Sequence, residues 1–349
     1  MSKFYSISEV AEVFNISTNK VRFYEKKGLI KPKRNDENDY RYYSEHDLIK
    51  LQTIIMYREL NLPIDSIRDM FKDESKDNII NHFYTQWETI NSEVHKMKLL
   101  QNSLEDIMDN IYESENESYK EKIIEIIRSM NEVWKIKNEW EDKWNFNSWA
   151  KTYDESIKKD IGSLKFYKNY DKLLDTVFKQ SIIDKEKTIK VLEIGVGTGN
   201  LAERFLDKDY DIIGIDQSRE MLNVAKEKFP KLKLRLGDFL NIPFENNKFD
   251  VIVSTYAFHH LNEDEKKIAI SEMLRILKDN GRIVIGDLMF ESEEKRENMM
   301  KTLTKGQVEE IEDEYYSNIN FLKDEFRKYN KELQVTKIDE LVFIVEIDF

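Results

Sequence analysis

The chain contains no cysteine. That single absence excludes disulfides, thiolate metal sites, thiol redox switching and cysteine nucleophiles. Only five histidines are present, too few to suggest a dedicated metal site, and none is expected. No run of 18 or more apolar residues occurs, and the opening MSKFYSISEV lacks the basic-then-apolar order of a signal peptide. The expectation is a cytoplasmic protein without membrane contact.

What is present divides into two unlike parts. A length of 349 residues with 40% apolar content suits two domains with real cores better than one very large domain. The net charge of −13 is uneven: residues 1–70 carry 12 basic and 11 acidic side chains, and residues 71–349 carry 43 and 57. Within the first part, residues 20–34 hold Lys20, Arg22, Lys26, Lys27, Lys31, Lys33 and Arg34 against the single acid Glu25. Such a basic stripe is the footprint of phosphate contacts.

Local signals in this first part predict two short helices and a turn. SISE at Ser6–Glu9 fits a capping box, and Ile7, Val10, Ala11 and Phe14 share one helical face. Ser17 is placed to cap a second helix carrying Val21, Tyr24 and Glu25, with Gly28 as its C-terminal glycine. Spacing alone fits a helix-turn-helix or a generic helical hairpin equally.

The next residues favour the first. VRFYEKKGLIKP, then YRYYSEHDLIKLQTI with Ser44 as a cap, then RELNLPIDSIRDMF occur in the order seen in MerR-family regulators. Over residues 4–71 the chain resembles their winged helix-turn-helix. The resemblance implies binding to a double-stranded DNA operator, with Lys20, Arg22 and Tyr24 on the recognition helix and Arg34, Tyr40 and Arg41 on the wing. Asn19 departs from the pattern, where a basic residue is common, which leaves the operator sequence open.

From Ile80 the apolar positions run Ile80, Phe83, Trp87, Ile90, Val94, Met97, Leu104, Met108 and Ile111, in steps of three and four with Gln101 as the polar seam position. A two-in-seven seam is the pattern of a coiled coil, and a homodimer through this helix is expected. The polar stretch at 112–122 reads as a boundary, and a further helix with Ile123, Ile127, Met130, Trp134, Trp140 and Trp144 comes after it. The proposed partition is a DNA-binding domain at 1–75, a coiled-coil helix at 76–115, a helical linker at 116–145 and a second domain at 146–349.

Past residue 185 short apolar runs alternate with amphipathic helices, the pattern of a doubly wound, Rossmann-like α/β sheet. Strands are predicted at 188–194, 211–216, 232–236, 249–254 and 281–287, and helices at 198–207, 218–228 and 264–277. The first strand ends in VLEIGVGTGN. A dinucleotide fingerprint is G-x-G-x-x-G, whereas Gly195, Gly197 and Gly199 are spaced G-x-G-x-G with Asn200 in the sixth slot. Glu193 just before the loop is a poor neighbour for pyrophosphate and a good one for an ammonium. Asp216 and Asp238 end the next two strands, where carboxylates can accept from ribose hydroxyls and from an adenine amino group. Alternatively, Glu193 and Asp238 only cap the helices that come after them.

The order VLEIGVGTGN, IIGIDQSREML, LRLGDFLNIPF, FDVIVSTYAFHHL, LKDNGRIVIGD resembles class I S-adenosylmethionine-dependent methyltransferases acting on small molecules, over about residues 145–349. That resemblance implies S-adenosylmethionine as cofactor. Glu193, Gly195, Gly197 and Gly199 would hold its methionine end, Asp216 the ribose, Met221, Phe239 and Asp238 the adenine, with Gln217 and Ser254 completing the set. WAKTYDE resembles the helix that closes over the cofactor, with Tyr153 near the methionine end. Candidates for a catalytic base are Tyr256, His259 and His260, and one histidine is equally suited to bracing the loop. Tyr315 and Tyr316 either line an acceptor pocket or anchor the insert that carries them.

Two function classes remain at this level: a DNA-binding regulator fused to a working methyltransferase for a small-molecule acceptor, and the same architecture used only to sense the cofactor or its product. A nicotinamide enzyme is disfavoured by the glycine spacing.

Overall fold

A computed structural model describes residues 4–35, 39–59, 63–71, 76–113, 119–139, 143–160, 162–183, 188–206, 208 and 210–348. The chain divides into two compact units, residues 1–95 and 96–349.

The first unit begins with β1 (Phe4–Tyr5), α1 (Ile7–Val13) and α2 (Thr18–Lys26), continues through β2 (Lys33–Arg34) and β3 (Arg41–Ser44), and ends in α3 (Glu45–Glu59) and α4 (Ile64–Met70). Each start has the cap expected of it. Ser6 and Glu9 form a reciprocal capping box on α1, Ser17 Oγ accepts from the Lys20 amide, and Ser44 Oγ accepts from the Asp47 amide at 3.2 Å. Gly28 ends α2 at φ +72°, a conformation that favours glycine. The strands form a small antiparallel sheet in the order β1-β3-β2. Val10, Val21, Tyr24, Leu29, Tyr43, Leu51 and Ile54 fill the core beneath it.

Helix α5 (Lys76–Glu113) comes next, then α6 (Tyr119–Glu139). The compact units divide inside α5, which differs from the four-segment partition drawn from sequence. Along α5, Phe83, Val94, Met97, Leu104, Met108 and Ile111 are exposed, and Gln101 bonds its neighbour Glu105. The side chain of Ile80 and the whole of Trp140 lie outside the described residues, as does much of the polar boundary at 112–122.

In the second unit α7 (Phe146–Trp149) and α8 (Tyr153–Lys159) replace the single closing helix expected at WAKTYDE. After α9 (Tyr170–Gln180) comes the alternating segment: β4 (Ile189–Ile194), α10 (Ala202–Leu206), β5 (Tyr210–Asp216), α11 (Arg219–Lys228), β6 (Lys233–Leu236), β7 (Phe249–Thr255), α12 (Glu263–Ile276) and β8 (Leu277–Phe290). The insert holds α13 (Glu293–Met300), α14 (Lys305–Glu312), β9 (Ser317–Asn318) and α15 (Ile319–Arg327), and β10 (Gln334–Lys337) with β11 (Val342–Asp348) closes the chain.

The sheet runs β10-β11-β8-β7-β4-β5-β6. Strands β6, β5, β4, β7 and β8 are parallel, while β11 is antiparallel to both β8 and β10, so the sheet is mixed and the predicted terminal hairpin is present. Residues such as Val191, Leu192, Ile194, Val251, Ile252 and Val253 are fully or almost fully buried, because helices cover both faces of a parallel sheet. Chain order reverses at β4, which lies between β5 and β7, and a ligand crevice opens at the carboxyl ends of strands at such a switch point. Helix α10 starts four residues later than the predicted 198, since the glycine loop occupies those positions.

Candidate functional site

A cavity opens at that switch point, over the end of β4. Its floor is the loop from Gly195 to Asn200. Gly195 and Gly197 take φ values of +73° and +52°, where a side chain is strained. They differ in surroundings: a Cβ on Gly195 would lie 2.5 Å from the Ala257 Cβ, whereas a Cβ on Gly197 would meet nothing within 4 Å. Gly197 lines the cavity, so its bare edge faces space that a ligand can occupy.

Glu193 lies at the end of β4, almost wholly buried, with one carboxylate oxygen lacking any partner. Burial first, and then the charge of Asp216, push its carboxyl well above the ordinary range, against a bond from the Ala202 amide at the start of α10. The capping alternative therefore accounts for one oxygen of Glu193 and leaves the other orphaned. Asp216 accepts from the Gly197 amide at 2.9 Å and the Ser218 amide at 2.8 Å. Asp238 closes its own turn, accepting from the amides of Leu240 and Asn241. Gln217, Met221, Phe239 and Tyr153 also line the cavity, and one buried oxygen of Gln217 has no partner. Ser254 does not line it: this residue sits within β7, fully buried, and the expectation of cofactor contact is corrected accordingly.

The roof is latched to the floor. Asp154 of α8 accepts from Thr198 Oγ1 at 2.6 Å and Asn200 Nδ2 at 3.0 Å, and pairs with Lys228 Nζ at 2.6 Å. Partial burial opposes its charge, but these bonds outweigh it and hold the Asp154 carboxyl below its ordinary value. Asn147 of α7 accepts from Ser218 Oγ at 2.9 Å, reaching the N-terminus of α11.

At the opposite wall, a 3-10 turn at Phe258–His260 presents two adjacent imidazoles with ring centroids 4.1 Å apart. Each has its own carboxylate. His259 Nδ1 lies 2.5 Å from Asp287 Oδ1 in β8, and His260 Nδ1 lies 2.9 Å from Glu314 Oε2. Burial opposes a charge on His259, yet Asp287 raises it above its ordinary value. Burial, then the neighbouring His259, lower His260. The turn thus sets an imidazole whose proton is favoured beside one whose proton is disfavoured. Ligating atoms of His259, His260 and Glu314 also lie within 4.8 Å of one another, the metal-compatible grouping found among the described residues.

Tyr256 lines the cavity at φ +49°, but its hydroxyl donates to the Phe166 carbonyl and burial raises it far above its ordinary value. This corrects its candidacy as a base: the phenol is a neutral wall stacked 5.5 Å from Tyr170. Neither Tyr315 nor Tyr316 lines the cavity. Tyr316 packs between Phe166 and Phe290, and Tyr315 takes Lys143, so they anchor the insert. Sequence reasoning missed Asp287, Glu314, Asp154 and the rings of Trp144, Phe146, Tyr167 and Tyr170. Only Asp287 had a usable signal, an acid ending a strand as Glu193 and Asp216 do.

In the first unit Lys20 and Arg22 are exposed on α2, and Tyr40 is exposed on the β2–β3 connection. Arg34 and Arg41 both pair with Glu25, at 3.4 and 2.7 Å. Tyr24 is corrected: it is only 2% exposed, because Val21 and Tyr24 form the inward face of α2 while Phe23 faces out.

A mixed sheet in this strand order, with a glycine loop and an acid at the switch point, defines a Rossmann-like methyltransferase fold. Family comparison agrees for both units. A methyltransferase domain model matches residues 191–281, and a MerR HTH family regulatory protein model matches residues 5–74. An uncharacterized methyltransferase of Oceanobacillus iheyensis is 38% identical over 205 residues, covering 57% of this chain and 93% of the relative. A second, from Alkaliphilus oremlandii, is 36% identical over 57% of this chain and 94% of its own length. A solved structure of a putative S-adenosyl-L-methionine-dependent methyltransferase from Methanococcus maripaludis shares 24% identity over 59% of this chain and 95% of that one, with a TM-score of 0.44. The chain belongs to this family of methyltransferases and carries a MerR-type helix-turn-helix at its N-terminal end.

Proposed function

We propose that the chain is a DNA-binding transcription regulator whose second unit transfers a methyl group from S-adenosylmethionine to a small-molecule acceptor. The observation that carries the cofactor assignment is the orphaned, buried oxygen of Glu193 beside the open edge of Gly197. A buried carboxylate without a partner is costly, and a cationic ligand group relieves it. Glu193 and the glycine loop hold the methionine end, Asp216 the ribose, and Met221, Phe239 and Asp238 the adenine. When bound, the cofactor supplies an electrophilic methyl group on a sulfonium.

The chain's own part is binding, orientation and proton handling. His260 is the base we assign, since burial disfavours its charged form and the Glu314 carboxylate, which can only accept, takes Nδ1–H and makes Nε2 the accepting nitrogen. His259, fixed by Asp287, positions the turn. The acidity of residues 71–349 argues for a small acceptor over nucleic acid as methyl recipient.

In the first unit, α2 is assigned to the major groove and the β2–β3 hairpin to the wing. The exposed seam of α5 is assigned to a homodimer, which matches two half-sites on DNA. Calorimetry on the full chain tests the core of the reading: S-adenosylmethionine should bind and NADH should not. The reverse result, or binding of neither, overturns it.

A further inference from the structure

Among the described residues lining the cavity, the acidic side chains are Glu193, Asp216, Asp238 and Glu314, with no lysine or arginine. Asp216 and Asp238 are tied to amides of their own loops, and Glu193 is assigned above to the cofactor. Glu314 is left over. It sits beside His260, whose ring lies 4.4 Å from Trp144 and 4.9 Å from Phe146. The lysines that touch this region are committed elsewhere: Lys143 to the Tyr315 hydroxyl and ring, Lys266 to the carbonyls of Leu261 and Tyr315, Lys228 to Asp154 and Asn200, and Lys137 to Glu272.

Resting on the methyltransferase reading, we infer that the acceptor is a small amine carrying an apolar or aromatic body, methylated on nitrogen. A carboxylate or phosphate acceptor would meet Glu314 and no free cation, since the raised His259 is already matched by Asp287. A phenol would have to ionise in the same negative surroundings. An ammonium is favoured there twice, by the carboxylate of Glu314 and by the faces of Trp144 and Phe146.

The chemistry balances with the groups at hand. The ammonium gives a proton to His260 Nε2, and Glu314 stabilises the imidazolium through Nδ1–H. The amine lone pair then forms the new nitrogen–carbon bond as the carbon–sulfur bond of S-adenosylmethionine breaks. The breaking pair stays on sulfur as a neutral thioether, and the nitrogen carries the positive charge of the product.

The test is a matched set, benzylamine, benzyl alcohol and benzoate, titrated calorimetrically into the full chain saturated with S-adenosylhomocysteine. Benzylamine should bind about tenfold more tightly than benzyl alcohol, with benzoate weakest. E314Q should erase the preference for benzylamine while benzyl alcohol binds as before, which also shows that the variant is folded. Equal affinities, a preference for benzoate or the alcohol, no binding of any of the three, or an undiminished preference in E314Q overturns the inference. Failure of the chain to bind S-adenosylhomocysteine at all overturns the methyltransferase reading instead.

Discussion

His259 Nδ1 and Asp287 Oδ1 stand 2.5 Å apart with both side chains buried, where the 3-10 turn meets β8. The folded state holds His259 above its ordinary value of 6.5 and Asp287 below its ordinary value of 3.8. A raised histidine contributes stability that is complete below 6.5 and lost as pH rises through its folded value. A lowered carboxyl contributes above 3.8 and loses its contribution as pH falls through its folded value. Stability from this pair should therefore peak between about 4 and 6.5 and decline as pH rises beyond about 6.5. Lys266, lowered by burial to about 8, works the other way at higher pH, because its unfavourable charge is then released. Urea melts of the wild type from pH 5 to 8 should show the decline, and H259Q should flatten it. D287N should cost about 3 kcal/mol or more, since it leaves the imidazole buried without its counterion.

Two glycines of one loop should fail in different ways. G195A forces a side chain into the left-handed region and against Ala257, so both stability and cofactor binding should fall. G197A meets no protein atom, so its cost to the fold is confined to the backbone, about 1–2 kcal/mol. Its methyl group enters the cavity, however. Calorimetry on folded G197A should show S-adenosylmethionine binding weakened by more than a thermal melt would suggest. Equal losses in the two variants would remove Gly197 from the cofactor site.

Glu193 should make cofactor binding release protons. Burial keeps its carboxyl protonated well above the ordinary range, and an ammonium placed against it restores the charged form. Affinity for S-adenosylmethionine should rise with pH, by up to about tenfold per unit while Glu193 is protonated in the free protein. Titrations in buffers of different ionisation enthalpy should reveal up to one proton released, and E193Q should abolish both effects.

The parallel sheet was legible because its strands are continuous apolar runs ending in acids or glycines, and that pattern depends only on neighbours in sequence. The cofactor floor was legible for the same reason, since Glu193, Gly195, Gly197 and Asp216 sit at predicted strand ends. The opposite wall was not legible. Glu314 reaches His260 across 54 positions, and Asp154 reaches Asn200 across 46, distances at which periodicity carries no information. Tyr24 shows the reverse error: a family pattern put it on the DNA surface, while the helical period of α2, with Val21 three residues earlier, already placed it in the core.

On DNA, Arg22 should behave as a positioning contact or as a base reader, and salt separates the two. Arg22 is exposed on α2. R22A should therefore leave the melting temperature and cofactor affinity unchanged while weakening operator binding. If the side chain meets a phosphate, the loss should be uniform across sequences and the salt dependence should fall by about one unit of slope. If it reads a base edge, discrimination at one operator position should relax at a cost of about 1–3 kcal/mol. Arg34 and Arg41 differ, since both already hold Glu25, and E25Q should loosen the hairpin and weaken binding indirectly. Wild-type footprints from R22A would remove α2 from the interface.

The homodimer proposed for the α5 seam rests on its exposed apolar side chains. Met97, Leu104 and Met108 are between 49% and 59% exposed along one helical stripe, and burying such side chains is worth about 1.5–3 kcal/mol each. Placing a charge at the centre of the seam should cost a dimer that much per protomer and add like-charge repulsion across the two-fold axis. L104K should shift the chain from dimer to monomer in sedimentation at micromolar concentration. Operator affinity should fall with it, because two half-sites must then be filled independently. Cofactor affinity per chain should stay at the wild-type value, since the residues assigned to the cofactor lie between 153 and 239. A dimer that survives L104K unaltered would move the interface elsewhere on the chain and leave the α5 stripe without its assigned role.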